Sequence, residues 1–108
     1  MPCHVNTTTQ SLREFEAKLH DLKDKVVAEM RTTPTGYSWR SMSLGDNQGA
    51  IFDGGYLVFD MKSPEDAMNS TIALIQWLDK NAKSHGFGGA YAVQGLPFEV
   101  LVIRVFDR

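Results

Sequence analysis

Leu12, Phe15, Leu19, Leu22, Val26 and Met30 recur at steps of three or four residues, while Arg13, Glu16, Lys18, Asp21, Lys23, Asp24 and Lys25 fill the opposite positions. That rhythm predicts an amphipathic helix of about twenty residues, about 30 Å long. Ser11 followed by Glu14 has the spacing of a capping box and marks its start, after a polar lead-in, Thr7-Thr8-Thr9-Gln10. Thr32-Thr33-Pro34-Thr35-Gly36 stops it. The spacing also fits a coiled-coil seam, but fewer than three full heptads favours packing on a sheet.

The period then drops to two. Tyr37 and Trp39, then Met42 and Leu44, are the apolar positions of a strand from Tyr37 to Leu44. Their phase slips by one residue, which predicts a bulge or an edge strand. Gly45 to Gly49 reads as a turn, Ala50-Ile51-Phe52 as a short strand and Asp53-Gly54-Gly55 as a bend before the strand Tyr56 to Met61. Ser63, Pro64, Glu65 and Asp66 open a second helix. The Ser63 hydroxyl can accept from the unpaired first-turn N–H groups, Pro64 sits where no N–H is needed, and the two carboxylates face the positive end of the helix dipole. This helix runs to about Ser84, with Met68, Ile72, Ile75, Leu78 and Ala82 as its main stripe, widened by Leu74 and Trp77; Gly86 supplies a left-handed cap. Ala90 to Val93 is a strand, Gln94 to Pro97 a turn and Phe98 to Phe106 the last strand.

The order helix, two strands, helix, two strands predicts a single α+β domain over residues 1–108. Its expected architecture is a two-layer sandwich: a four-stranded, mainly antiparallel sheet with both long helices on one face. Residues 1–9 are frayed or form a short strand. A fifth strand from Pro2 to Asn6 would make the order resemble a ferredoxin-like or tautomerase-like fold.

The last strand is apolar on both sides, with Leu101, Ile103 and Val105 on one and Phe98, Val100 and Val102 on the other; Tyr56 and Val58 repeat this. Strands of that kind belong to sheets covered on both faces. Two helices can cover one, and an exposed apolar sheet face would exceed the few hundred Å² that monomers tolerate. Long loops such as Gly45 to Gly55, or another chain, must supply the cover. The expected partner-binding residues are therefore Tyr56, Val58, Phe98, Val100 and Val102, with the aromatics Tyr37 and Trp39. Arg104 interrupts an apolar face and is expected to pair with Asp60 or to meet an anionic partner.

Composition narrows the field. In 108 residues, 43% are hydrophobic and 22% charged, with a net charge of −2, as in a soluble globular protein. Lys and Arg never form a run, so the basic footprint of nucleic-acid binding is missing even though Tyr37, Trp39 and Tyr91 could stack on bases. No apolar run exceeds four residues, as in Val100 to Ile103, far too short to cross a membrane, and the N-terminus has no signal-peptide core. Cys3 is the only cysteine, which excludes an internal disulfide and fits a cytoplasmic protein. His4, His20 and His85 have no metal-ligand spacing. Gly86-Phe87-Gly88-Gly89 follows a helix and precedes a strand, the reverse of a phosphate loop. No cofactor is expected.

One residue has sharp chemical potential. Removal of Met1 would leave Pro2 as an N-terminal secondary amine, able to act as base or nucleophile when desolvated. The start Met1-Pro2, then Val5-Asn6-Thr7, a helix, and later a second helix and terminal strand, resembles the tautomerase superfamily. That likeness implies trimers, Pro2 as catalytic base and Arg40 as substrate anchor. A second likeness runs through Gly36-Tyr37, a hairpin, a strand ending in Asp60, and a helix carrying Ala82 before Gly86-Phe87-Gly88-Gly89-Ala90. This layout is similar to the ribonuclease E inhibitor B proteins, and implies restraint of an enzyme without catalysis. The leading expectation is a non-catalytic protein-binding module, an adaptor or inhibitor, acting as a homo-oligomer or on a larger protein. An enzyme using Pro2 and a structural subunit of a larger assembly are the alternatives.

Overall fold

The computed structural model describes residues 4–33, 35–44, 54–62, 67–93 and 99–108, with side chains from residue 13 in the first helix and residue 70 in the second. The first apolar stripe becomes α1 (His4–Thr32), in which Phe15, Leu19, Leu22 and Val26 are all but sealed from water and Met30 packs partly against them. At 29 residues it is about 43 Å long and starts seven residues before the capping box. His4 to Asn6 are helical, so the strand expected from Pro2 to Asn6 does not form there. Adding residues to a helix already held by a buried stripe gains a hydrogen bond for each residue fixed, whereas Val5 alone offers no alternation to a strand.

Four strands follow the expected plan: β1 (Tyr37–Leu44), β2 (Gly54–Met61), then, after α2 (Ala67–Ser84), β3 (Gly89–Ala92) and β4 (Val100–Phe106). Their order in the sheet is β1-β2-β4-β3, and every neighbouring pair is antiparallel. β4 therefore lies between β2 and β3, the two strands that α2 joins. The phase slip in β1 is a register shift between Trp39 and Ser41, which keeps Tyr37, Trp39, Met42 and Leu44 on one side.

That side is the core. Leu57, Phe59, Leu101, Ile103, Val105 and Ala90 are buried there in one cluster with the stripes of both helices. A Cβ on Gly55 would sit 2.7 Å from Leu19 Cδ2 and 3.0 Å from the Ser43 carbonyl oxygen, so glycine here leaves Leu19 of α1 room to pack directly on β2. Burial of this cluster is the main stabilising term.

The second helix turns differently from its expected stripe. Thr71, Leu74, Leu78 and Ala82 are buried, while Ile72 is 45% exposed. Leu74, Leu78 and Ala82 keep their expected places and Thr71 takes that of Ile72, which turns the buried face by about half a residue, or about 50°. The cause is polar: Thr71 donates its hydroxyl to Tyr37 Oη at 2.7 Å inside the core, so a threonine takes the central place. The C-terminus closes as expected. Gly86, at φ 92°, donates its N–H to the Lys83 carbonyl, and Phe87 donates to Ala82 at 2.9 Å, the paired bonds of a Schellman cap. Phe87 then meets Phe15 edge-on at 5.4 Å, so the segment that follows α2 lies against the middle of α1.

Pro2, Cys3 and Phe98 lie outside the described residues. So do the turn and short strand read over 45–53, the cap read at Ser63 to Asp66 and the turn read over 94–97.

Candidate functional site

Strand alternation sends every second residue away from the core, and the register assembles those residues into rows. One row runs Ser43, Tyr56, Arg104, Tyr91 across all four strands. The next runs Ser41, Val58, Val102, and reaches Val93, whose N–H donates to the Val102 carbonyl at 3.0 Å. The third runs Ser38, Asp60, Val100. The β1 edge of this face is thus hydroxylated, while its β4 and β3 side is aromatic and aliphatic around the one arginine, Arg104. Tyr91 is 47% and Val93 41% exposed, and Tyr56, Val58, Val100 and Val102 are half-buried.

The aromatic row is held in place. Arg104 Nη1 donates to Tyr56 Oη at 3.2 Å, and its guanidinium carbon stands 5.7 Å from the Tyr56 ring centre. At that distance the positive charge is attracted by the ring face. Gly54 makes the arrangement possible. A Cβ there would come within 2.9 Å of Arg104 Nη2 and 2.8 Å of the Val105 carbonyl oxygen, so the guanidinium lies where a side chain would stand. The two glycines read as a bend thus sit inside β2 and permit two close approaches, Gly55 on the core side and Gly54 on the other. Tyr91 leans on Phe106 at 5.7 Å with the rings tilted by 53°.

Five of the expected partner-binding residues therefore share one face: Tyr56, Val58, Val100, Val102 and Arg104. Tyr37 and Trp39 do not. Tyr37 is 2% exposed and bonded to Thr71, and Trp39 packs edge-on against Phe59 at 5.5 Å. The bulge keeps both in phase with Met42 and Leu44 on the core side, and leaves Ser38, Ser41 and Ser43 on the other. The expected pairing of Arg104 with Asp60 is also corrected. Asp60 stands opposite Val100, four residues along β4 from Arg104, or about 13 Å. Asp60 meets Arg40 instead, at 3.4 Å, with both side chains about half exposed. An ion pair that wet contributes little to stability. Tyr91, Val93 and Phe106 were missed as members of this face. Their signal was the alternation of β3, which only the β3–β4 register ties to Arg104.

Elsewhere a cleft of about 350 Å³ opens between the C-terminal half of α1 and the N-terminal half of α2, with Glu29, Thr33, Leu74 and Trp77 in its lining. The Glu29 carboxylate accepts from the Thr33 hydroxyl at 3.3 Å. At the far end of α2, Asp79 accepts the Ala90 N–H at 3.0 Å and pairs with Lys83 at 3.0 Å. The bond from Ala90, and then Lys83, hold the Asp79 carboxyl below its ordinary range. Asp79 thus ties α2 to β3. Among the described residues no group of three His, Cys, Asp or Glu side chains could hold a metal ion, and no helix is long and apolar enough to cross a membrane.

The chain matches no family model, and no curated protein or solved structure matches it.

Proposed function

We propose that this chain is a two-layer sandwich with α1 and α2 on one face of its sheet, and that the other face binds protein. The module is non-catalytic and works as an adaptor or inhibitor. The observation that carries this reading is the pair of adjoining rows Tyr56–Arg104–Tyr91 and Val58–Val102–Val93 on the side away from the core. Tyrosine and arginine surrounded by aliphatic side chains is the composition that concentrates binding energy in protein interfaces. These side chains stand on strands, with Arg104 already bonded to Tyr56, so little freedom is lost on docking. The serines of β1 provide a hydrogen-bonding rim.

Nucleic acid is disfavoured as the partner, because Arg40 and Arg104 are the two arginines on these strands and Arg40 is paired with Asp60. The same pairing, at a sheet edge, gives no support to a substrate-anchoring role for Arg40 beside Pro2. A permanent subunit of a larger assembly would use the same face. A single cysteine fits a reducing compartment such as the cytoplasm.

Photo-crosslinking tests the reading. A benzoylphenylalanine replacing Tyr91 is expected to give a discrete crosslinked protein product in cells, and the same group replacing Ile72, exposed on α2, is expected to give none. Equal yields at both positions, or none at position 91, would refute it.

A further inference from the structure

Asp60 and Arg104 share the outer face without meeting, and they are placed symmetrically about its middle. The Val58–Val102 pair lies at the centre; Arg104 with Tyr56 stands two residues to one side, and Asp60 with Val100 two residues to the other. We propose that the partner docked here is a second copy of this chain, related by a two-fold axis that runs across the strands along the Val58–Val102 row. The inference rests on the protein-binding reading above and names the partner.

The axis follows from what each orientation would bring together. A two-fold across the strands keeps each strand over its own counterpart and reverses its direction. Val58 then faces Val58, and Val102 faces Val102. The serine edge of β1 faces the serine edge of the other copy. Asp60 of one copy lies over Tyr56 of the other and is offset by one strand spacing, about 4.8 Å, from Arg104, so the two side chains reach towards each other from opposite sides of a gap of about 10 Å. Two-fold symmetry makes that contact twice, as a self-complementary interface requires. A two-fold along the strands would instead set the serines of β1 against Tyr91 and Val93, burying hydroxyls on aromatic and aliphatic surface without partners. The charges separated by about 13 Å within one chain become neighbours only across the first axis.

Size sets the strength. Four strands at about 4.8 Å and seven residues at about 3.3 Å make a face of about 19 by 23 Å, at the small end of specific interfaces. Association is therefore expected to be weak and concentration-dependent. In the dimer Asp60 keeps Arg40 at the edge and gains Arg104 in a drier setting, where a charge pair is felt more strongly than in water.

Sedimentation velocity on the full chain, from about 1 µM to about 500 µM, tests this. The sedimentation coefficient is expected to rise towards that of a dimer. Asp60→Arg and Arg104→Asp should each weaken association at least about tenfold, and the two together should recover most of it. Val93→Asp, at a position 41% exposed and outside the core, should weaken it comparably while leaving the thermal midpoint unchanged, which covers the case of a charge variant that fails to fold. A monomer at every concentration overturns the second-copy inference, as does a dimer indifferent to Val93→Asp, or a folded double variant no better than the single ones. The protein-binding reading stands separately: a monomer that still crosslinks from position 91 to a different protein defeats this inference alone, and a monomer without such a product defeats both.

Discussion

The hydroxyl of Thr71 donates to Tyr37 Oη at 2.7 Å in the core, joining α2 to the first strand. Both residues are almost fully buried, so the bond satisfies polar atoms that water cannot reach. It also sets the rotation of α2, because the threonine can enter the core only where the phenol waits for it. Tyr37→Phe keeps the ring and removes the oxygen. It is expected to cost about 1–2 kcal/mol. Urea unfolding followed by tryptophan fluorescence checks this; an unchanged midpoint would mean that the bond is dispensable.

The same rotation separates two aliphatic residues that the sequence treats alike. Leu78 is fully buried and Ile72 is 45% exposed. Leu78→Ala should cost about 2–5 kcal/mol, and Ile72→Ser should stay within about 0.5 kcal/mol. Comparable losses at both positions in chemical denaturation would contradict the observed phase of the helix.

Gly54 gives a prediction that links fold to face. Gly54→Ala would place a Cβ 2.8 Å from the Val105 carbonyl oxygen and 2.9 Å from Arg104 Nη2. The carbonyl belongs to the ladder and cannot withdraw freely, so a cost of about 1–3 kcal/mol is expected. Arg104 should also leave Tyr56 and association should weaken. Calorimetry together with sedimentation reads the two effects; a neutral variant with intact association would remove the role assigned to this glycine.

Asp79 predicts a pH dependence. Its folded carboxyl lies below the ordinary 3.8 because the ionised form accepts the Ala90 N–H and pairs with Lys83. A lowered folded pKa means that the carboxylate's contribution is present above 3.8 and is lost as pH falls through the lower folded value. Asp79→Asn should therefore destabilise the protein near neutrality, with the gap to wild type closing in acid. With the side chain 36% exposed, the effect should be modest. Stability curves that stay parallel from neutral to acid pH would rule it out.

Much of the fold was legible along the chain. Each helix and strand has its own period and, at α2, its own glycine cap, and all of these are local. Even the bulge in β1 was visible as a one-residue slip between Trp39 and Met42. What was not legible depended on pairing. A period-two strand does not say which of its faces meets the helices. Tyr37 and Trp39 therefore read as binding residues, until the register with Met61 and Phe59 put them on the core side. Tyr91 read as an exposed aromatic and Val93 as part of a short strand, and neither was tied to Arg104 until β3 aligned beside β4.

By itself, the order of residues determined the run of helices and strands, the glycine cap of α2 and the surplus of apolar positions in β2 and β4, because hydrophobic period and turn chemistry act over a few neighbours. Only the tertiary structure decided the rotation of α2, the partners of Asp60 and Arg104 and the membership of the outer face. Those depend on strand order and register, which bring together residues such as Tyr56, Arg104 and Tyr91 from distant parts of the chain, and no local period encodes that distance.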